Sequence, residues 1–200
     1  MRIANHNRRD DMAKSTKRLV EVELVRCEIN GVPEKTLLKS RNLGCVDMIW
    51  PRAGIAKRSS AREFVFSRGK VDFTGESWAN RVIFREEVDG HTAFAVTVTE
   101  PVTIQKVRQF LRLAAKYALK QGADFIESAM LGYGDLASAP ADALAAMVGE
   151  KNVPKPIAQG VVDVPELPEE GASMILEIPL RRPKVLKKRI LGTLTLKVSC

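Results

Sequence analysis

The sequence predicts a mainly-β fold, an antiparallel β-sandwich of about eight strands with two or three helices inserted at about residues 101–152. Three observations carry that expectation. Strand-like segments recur along the chain, at Leu19–Ile29, Phe94–Thr99, Ile157–Leu180 and Gly192–Val198, and alternation of period two gives a strand one apolar and one polar face. Turn signals separate them, at Asn30-Gly31-Val32-Pro33, Arg68-Gly69 and Asp89-Gly90. The period then switches to a helical one, with Ile104, Val107, Leu111, Ala114 and Ala118 on one stripe.

Taken in order, residues 1–17 read as a flexible basic arm, with Met12 as an alternative start, and residues 18–200 as a single sandwich domain. In LVEVELVRCEI (Leu19–Ile29), Val20, Val22 and Leu24 share a face opposite Glu21 and Glu23. The phase changes past Leu24, because Val25, Cys27 and Ile29 are apolar, and a bulge near Leu24-Val25 accounts for the change. An extended segment is expected near Leu37-Leu38 and over Val46–Trp50, followed by a basic loop, Pro51–Ser60. Two hairpins come next: Glu63–Ser67 with Lys70–Phe73 across Arg68-Gly69, and Arg81–Glu86 with Thr92–Thr99 across Val88–His91. In the last strand Phe94, Val96 and Val98 face inward and Thr97 and Thr99 outward. The helical insertion opens at Thr103 as N-cap and pauses at Gly122; Ser138-Ala139-Pro140 starts its last helix and Gly149 ends it. Strands resume after Pro156.

Composition narrows the function classes. With 200 residues and 45% hydrophobic content the chain can bury one core. No apolar run reaches the roughly 18 residues of a membrane span. The N-terminal segment lacks the apolar core of a secretory signal, so a cytoplasmic location is expected, with peripheral attachment to a membrane as an option. Cys27, Cys45 and Cys200 form no C-x-x-C pair, which excludes a zinc finger and argues against a disulfide framework. Cys27 and Cys45 read as small buried hydrophobes. The net charge of +8 is unevenly spread: +4 over residues 1–18, −3 over 19–34, +7 over 35–70, −7 over 71–180 and +7 over 181–200. Basic ends around an acidic middle point to an anionic partner, with plain solubility as the competing explanation.

No catalytic constellation accompanies this pattern. His6 and His91 are the only histidines, one in the arm and one in a turn. Glu86-Glu87 and Glu169-Glu170 are neighbours whose side chains diverge on a strand or loop. Gly132-Tyr-Gly134-Asp-Leu-Ala137 fits a dinucleotide fingerprint only in spelling, since no strand precedes it. An enzyme is not expected.

Several of these segments together resemble a known family. LVEVELVRCEI opens; Gly75-Glu76-Ser77-Trp78-Ala79-Asn80 leads into Val82-Ile83-Phe84; Phe94–Val98 alternates; Ile157–Val164 with Pro179-Leu180 resembles a late hairpin, and Gly192–Val198 a closing strand. The pattern is similar to that of the C-two domain, the calcium- and lipid-binding β-sandwich first defined in protein kinase C. The likeness covers about residues 17–100 and 155–200. Calcium-binding members of that family cluster aspartates at one end of the sandwich. Here Thr99-Glu100-Pro101 and a lone Asp47 stand instead, so the resemblance implies a calcium-independent variant, with no metal and no cofactor.

The expected role is a non-enzymatic docking or scaffold module. Its cations would engage an anionic membrane surface: Arg181, Arg182, Lys184, Lys187, Lys188 and Arg189, six within nine residues, together with Arg52, Lys57 and Arg58. Leu186, Ile190 and Leu191 beside them suit a lipid interface. Ile104, Val107 and Leu111 would meet a protein partner or a second copy. The same cations could instead contact nucleic acid, although no aromatic lies among them to stack on bases. A small enzyme of unrecognised type ranks last. Trp50 and Trp78 read as core or interface anchors.

Overall fold

The computed structural model describes residues 17–30, 40–51, 55–88, 90–101, 103, 105, 154–183 and 190–200. They form nine strands: β1 (Arg18–Ile29), β2 (Ser40–Pro51), β3 (Ile55–Phe66), β4 (Lys70–Asp72), β5 (Val82–Val88), β6 (Thr92–Pro101), β7 (Pro156–Val164), β8 (Ser173–Arg181) and β9 (Ile190–Ser199). One short helix, α1 (Trp78–Arg81), precedes β5. All pairings are antiparallel, in the order β3-β2-β6-β7-β8-β9-β1-β4, with β5 also on β1. The fold is thus mainly β.

β1 explains its own sequence. The register against β9 shifts between Leu24 and Arg26, where the apolar phase changes. The extra residue lets Val20, Val22 and Leu24 face the core before the bulge, and Cys27 and Ile29 after it. The same strand carries two neighbours on its second side. β5 pairs with Arg18–Glu23 and β4 with Arg26–Glu28.

Several expectations need correction. Most of the expected basic loop Pro51–Ser60 is strand, since β2 and β3 pair without interruption from Ser40↔Phe66 to Pro51↔Ile55. Charges obscured it because β3 ends the sheet, and an edge strand tolerates cations that a central one does not. The Arg68-Gly69 turn forms as expected, with φ of 51° and 75° and a Ser67↔Lys70 bridge closed by bonds of 2.8 and 3.1 Å. Beyond that bridge β4 leaves β3 and pairs with β1. The second expected hairpin does not form, because β5 pairs with β1 and β6 lies between β2 and β7. Thr97 and Thr99 face no solvent; β6 is buried on both sides from Thr92 to Thr99. The 101–152 helices lie outside the described residues, apart from Pro101, Thr103 and Gln105.

Two seams bring the sheet close to closure. At the first, β7 and β8 share a single ladder pair, Gln159↔Arg181, so they are not a true hairpin. Gly160 makes that approach feasible, because a Cβ there would stand 2.5 Å from the Pro179 carbonyl oxygen. At the second seam side chains of β3 reach β5. Arg58 Nε donates to Glu86 Oε1 at 3.1 Å, and Arg62 Nη2 donates to the Val82 carbonyl at 3.3 Å. Burial pulls the Arg62 guanidinium below its ordinary value, yet its second donor meets the Ala61 carbonyl at 3.1 Å.

Both halves of the sheet supply one core. Met48, Trp50, Phe64, Phe66, Phe94, Val96 and Val98 meet Val20, Val22, Phe84, Ile178, Leu194 and Leu196 in a continuous cluster. Phe64 is fully buried and packs edge-on against Phe66 and Phe73, with ring centroids 6.1 and 5.1 Å apart.

Candidate interaction surfaces

The strand periodicity that fills the core also decides what faces outward. On β8, Leu176, Ile178 and Leu180 turn inward, leaving Ile175, Glu177 and Arg181 exposed. β8 ends at Arg181, and Arg182 follows; both are exposed where the chain leaves the sheet. They open the cationic segment read from the sequence. Lys184, Lys187, Lys188, Arg189 and Arg52 lie outside the described residues, as do Ile104, Val107 and Leu111. Lys57 lies in β3, in register with Ile49. Arg58 is half-exposed and ion-paired with Glu86, so part of its charge is already engaged. In the strand order β3, which carries Arg58, stands four positions from β8, which ends at Arg181.

A second surface appears that the sequence reading did not assemble. The outward face of β1, β9 and β8 sets Glu21 beside Ser199 and Ser173, and Glu23 beside Lys197 and Ile175. Glu23, nearly buried, receives Lys197 Nζ at 3.4 Å and Arg81 Nη2 at 3.3 Å. Arg81 also donates to the Thr74 carbonyl in the turn before α1 at 3.3 Å, and its contact with Glu23 ties α1 down onto the sheet. Above this network Trp78 is 52% exposed, and its indole N–H donates to Glu21 Oε1 at 3.3 Å. Leu19 and Ile175 are 50% and 60% exposed on the same strands. Trp50, by contrast, is core. Only one sequence signal separates the two tryptophans: Trp78 stands alone in the polar run GESWAN, whereas Trp50 ends an apolar strand.

Other buried polar groups among the described residues hold strands together. Asn42 is buried; its Nδ2 donates to the Thr99 carbonyl at 2.7 Å, and the Leu43 N–H donates to Thr99 Oγ1 at 3.2 Å. These bonds span the register shift between β2 and β6. Burial pushes the Cys27 thiol well up, with Glu28 adding to it; burial and then Asp47 do the same at Cys45. Cys200 is raised mainly by partial burial. The Cys27 and Cys45 thiols, buried as well as raised, stay protonated and shielded from reagents, whereas Cys200 is partly exposed. Asp72 accepts from the Thr74 hydroxyl at 2.6 Å and its N–H at 2.8 Å, and these bonds hold its carboxyl below the ordinary range. Among the described residues no group of three His, Cys, Asp or Glu side chains could hold a metal ion. No helix among them is long and apolar enough to cross a membrane.

No family model matches the chain, and no curated protein matches it. Among solved structures the chain is similar to one described as showing that CC2D1B coordinates ESCRT-III activity during the mitotic reformation of the nuclear envelope. The identity is 13% and the TM-score 0.40, over 94% of this chain and 57% of that one. This chain thus spans little more than half of that neighbour, and at so low a TM-score the likeness carries no argument about activity.

Proposed function

We propose that the chain is a non-enzymatic, calcium-independent docking module of C-two-like sandwich architecture, which binds an anionic membrane surface from the cytoplasmic side. The observation that carries this reading is the placement of Arg181 and Arg182, exposed together at the end of β8, at the root of a segment with four further cations. Each cation near an anionic bilayer contributes about 1 kcal/mol, so six suffice for reversible attachment. The strands supply a rigid frame, and β8 and β9 hold the two ends of the segment in register at Arg181↔Ile190.

Cosedimentation tests it. Vesicles containing phosphatidylserine should pull down the protein at low salt, pure phosphatidylcholine vesicles should not, and added salt should release it. Lys187→Glu, Lys188→Glu and Arg189→Glu combined should abolish the effect; undiminished binding by that variant would overturn the reading. Retardation of random DNA or RNA at physiological salt, with no vesicle binding, would favour nucleic acid as the anionic partner.

A further inference from the structure

We infer that the free edge of β8, from Ser173 to Glu177, pairs with the same edge of a second copy of this chain. The pairing is antiparallel about a twofold axis at Ile175 and makes no use of the cationic segment.

Pro179 sets the phase of β8. It has no N–H, so its register pair with Thr193 of β9 is not one of the hydrogen-bonded pairs of that ladder. Hydrogen-bonded and open pairs alternate along an antiparallel ladder. Ser173, Ile175 and Glu177 share the phase of Pro179 and therefore turn their N–H and C=O away from β9. Just before the strand the Cys200 N–H donates to the Ala172 carbonyl at 3.1 Å, in the opposite phase, as this assignment requires. On the far side β7 pairs with β8 only at Gln159↔Arg181 among the described residues. Ser173, Ile175 and Glu177 thus each offer one donor and one acceptor to an incoming strand.

Two other free edges are defended. β3 sends Arg58 and Arg62 across to β5, and β4 is only three residues long. On β8 itself the end near Arg181 is closed by Pro179, which has no donor, and by the close approach of Gly160. Between Ser173 and Glu177 the one charge is Glu177, drawn toward Arg26 at 3.8 Å. Ile175 stands at the centre, 60% exposed, the most exposed large apolar side chain among the described residues.

Register chooses the occupant. In an antiparallel pair centred on Ile175, Ile175 meets Ile175, and Ser173 of each copy meets Glu177 of the other, hydroxyl against carboxylate. Each of these is a hydrogen-bonded pair, because both members turn their backbone groups toward the seam. On the inward side half-buried Met174 comes opposite Leu176 of the other copy. No like charges face each other in this register. Beyond the paired residues, exposed Arg181 and Arg182 at the end of one β8 run toward exposed Glu169 and Glu170 just before the other. An apolar residue on the axis flanked by mutually complementary polar ones is what an isologous contact needs.

The test is sedimentation equilibrium of the full chain over about a hundredfold range of concentration. The apparent mass should rise from that of one chain toward that of two. Ile175→Lys sets two cations against each other on the axis and should weaken association about tenfold or more, with an unchanged circular dichroism melt. Ile175→Glu should do the same. An equimolar mixture of the two variants should recover association, because opposite charges then face each other. Lys187→Glu with Lys188→Glu should leave it unaltered. A chain that stays monomeric at every concentration would overturn the inference. So would undiminished association of Ile175→Lys, a mixture that stays apart, or association lost in Lys187→Glu with Lys188→Glu. Loss of phosphatidylserine-vesicle binding in Ile175→Glu, with no self-association of the unaltered chain, would make the occupant a bilayer and overturn it as well.

Discussion

Replacing Gly192 by alanine should unfold this protein more readily than any ordinary surface substitution. Gly192 lies near the start of β9, where the ladder to β1 begins, opposite Ile29 of β1 and Leu180 of β8. A Cβ built there would stand 1.8 Å from the Glu28 carbonyl oxygen and 2.8 Å from the Ile29 Cα. Both are backbone atoms, so no side chain can rotate aside. Real Cβ contacts stay above about 3 Å, so β9 must retreat from β1 by about 1 Å or more. A backbone hydrogen bond of 2.9 Å stretched that far ceases to be one. Losing two such bonds costs about 2 kcal/mol, and the residual overpacking another 1–3 kcal/mol. The sum, about 3–5 kcal/mol, is a large share of the stability of an ordinary domain. At about 2–4 °C per kcal/mol for a chain of this length, the midpoint should fall by about 6–20 °C. Circular dichroism melts of wild type, Gly192→Ala and Gly75→Ala decide the matter. Gly75 has nothing within 4 Å of its would-be Cβ and an ordinary φ, so alanine there should change stability by less than about 1 kcal/mol. A Gly192→Ala melt within about 2 °C of wild type, or an equal fall in Gly75→Ala, would refute the geometric argument.

Three further outcomes follow from the same structure. Phe64→Ala removes the ring that joins Phe66 and Phe73 in the core and should cost about 3–5 kcal/mol by urea denaturation. In the native protein a thiol reagent should modify Cys200 alone; Cys27 and Cys45, raised by burial, should react only as the protein unfolds, and fast labelling of either in the native state would contradict their placement. The Asp72 carboxyl should titrate below the ordinary aspartate range in carbon-detected NMR, and Thr74→Val should return it toward that range. Because its folded value is depressed, its contribution to stability is present above the unfolded aspartate value and lost as pH falls through the folded one.

Much of the fold was legible without coordinates because alternation is local. Each of Leu19–Ile29, Phe94–Thr99 and Gly192–Val198 carries its own inward set, and the bulge in β1 shows as a slip in that set. The Arg68-Gly69 turn was legible for the same reason: positive φ is a property of one or two residues. Pairing is different, since it depends on which distant strand offers an apolar face of matching length. Arg81–Glu86 and Thr92–Thr99 look like a hairpin across Asp89-Gly90, yet β1 takes the first and β2 with β7 the second. Thr97 and Thr99 misled because a threonine reads as solvent-facing until the strand carrying it lies at the centre of a sheet and is buried on both sides.

The candidate surfaces divide along the same line. Arg181 and Arg182 were visible as part of a charge run, and the structure adds only that they are exposed at a strand end. Trp78 was visible as a tryptophan, but its exposure was not. That depends on Arg81 anchoring α1 to Glu23 and on Glu21 meeting the indole, contacts that bridge 58 and 57 positions of sequence. By itself, then, the sequence determined most of the strands, the Arg68-Gly69 turn and the inward set of β1, because those properties are set within a few residues, but not the strand over Ile55–Ser60 or the burial of Thr97 and Thr99. Tertiary structure alone decided the partners of each strand, the two near-closing seams and the exposed tryptophan, because each depends on groups that only long-range packing brings within contact.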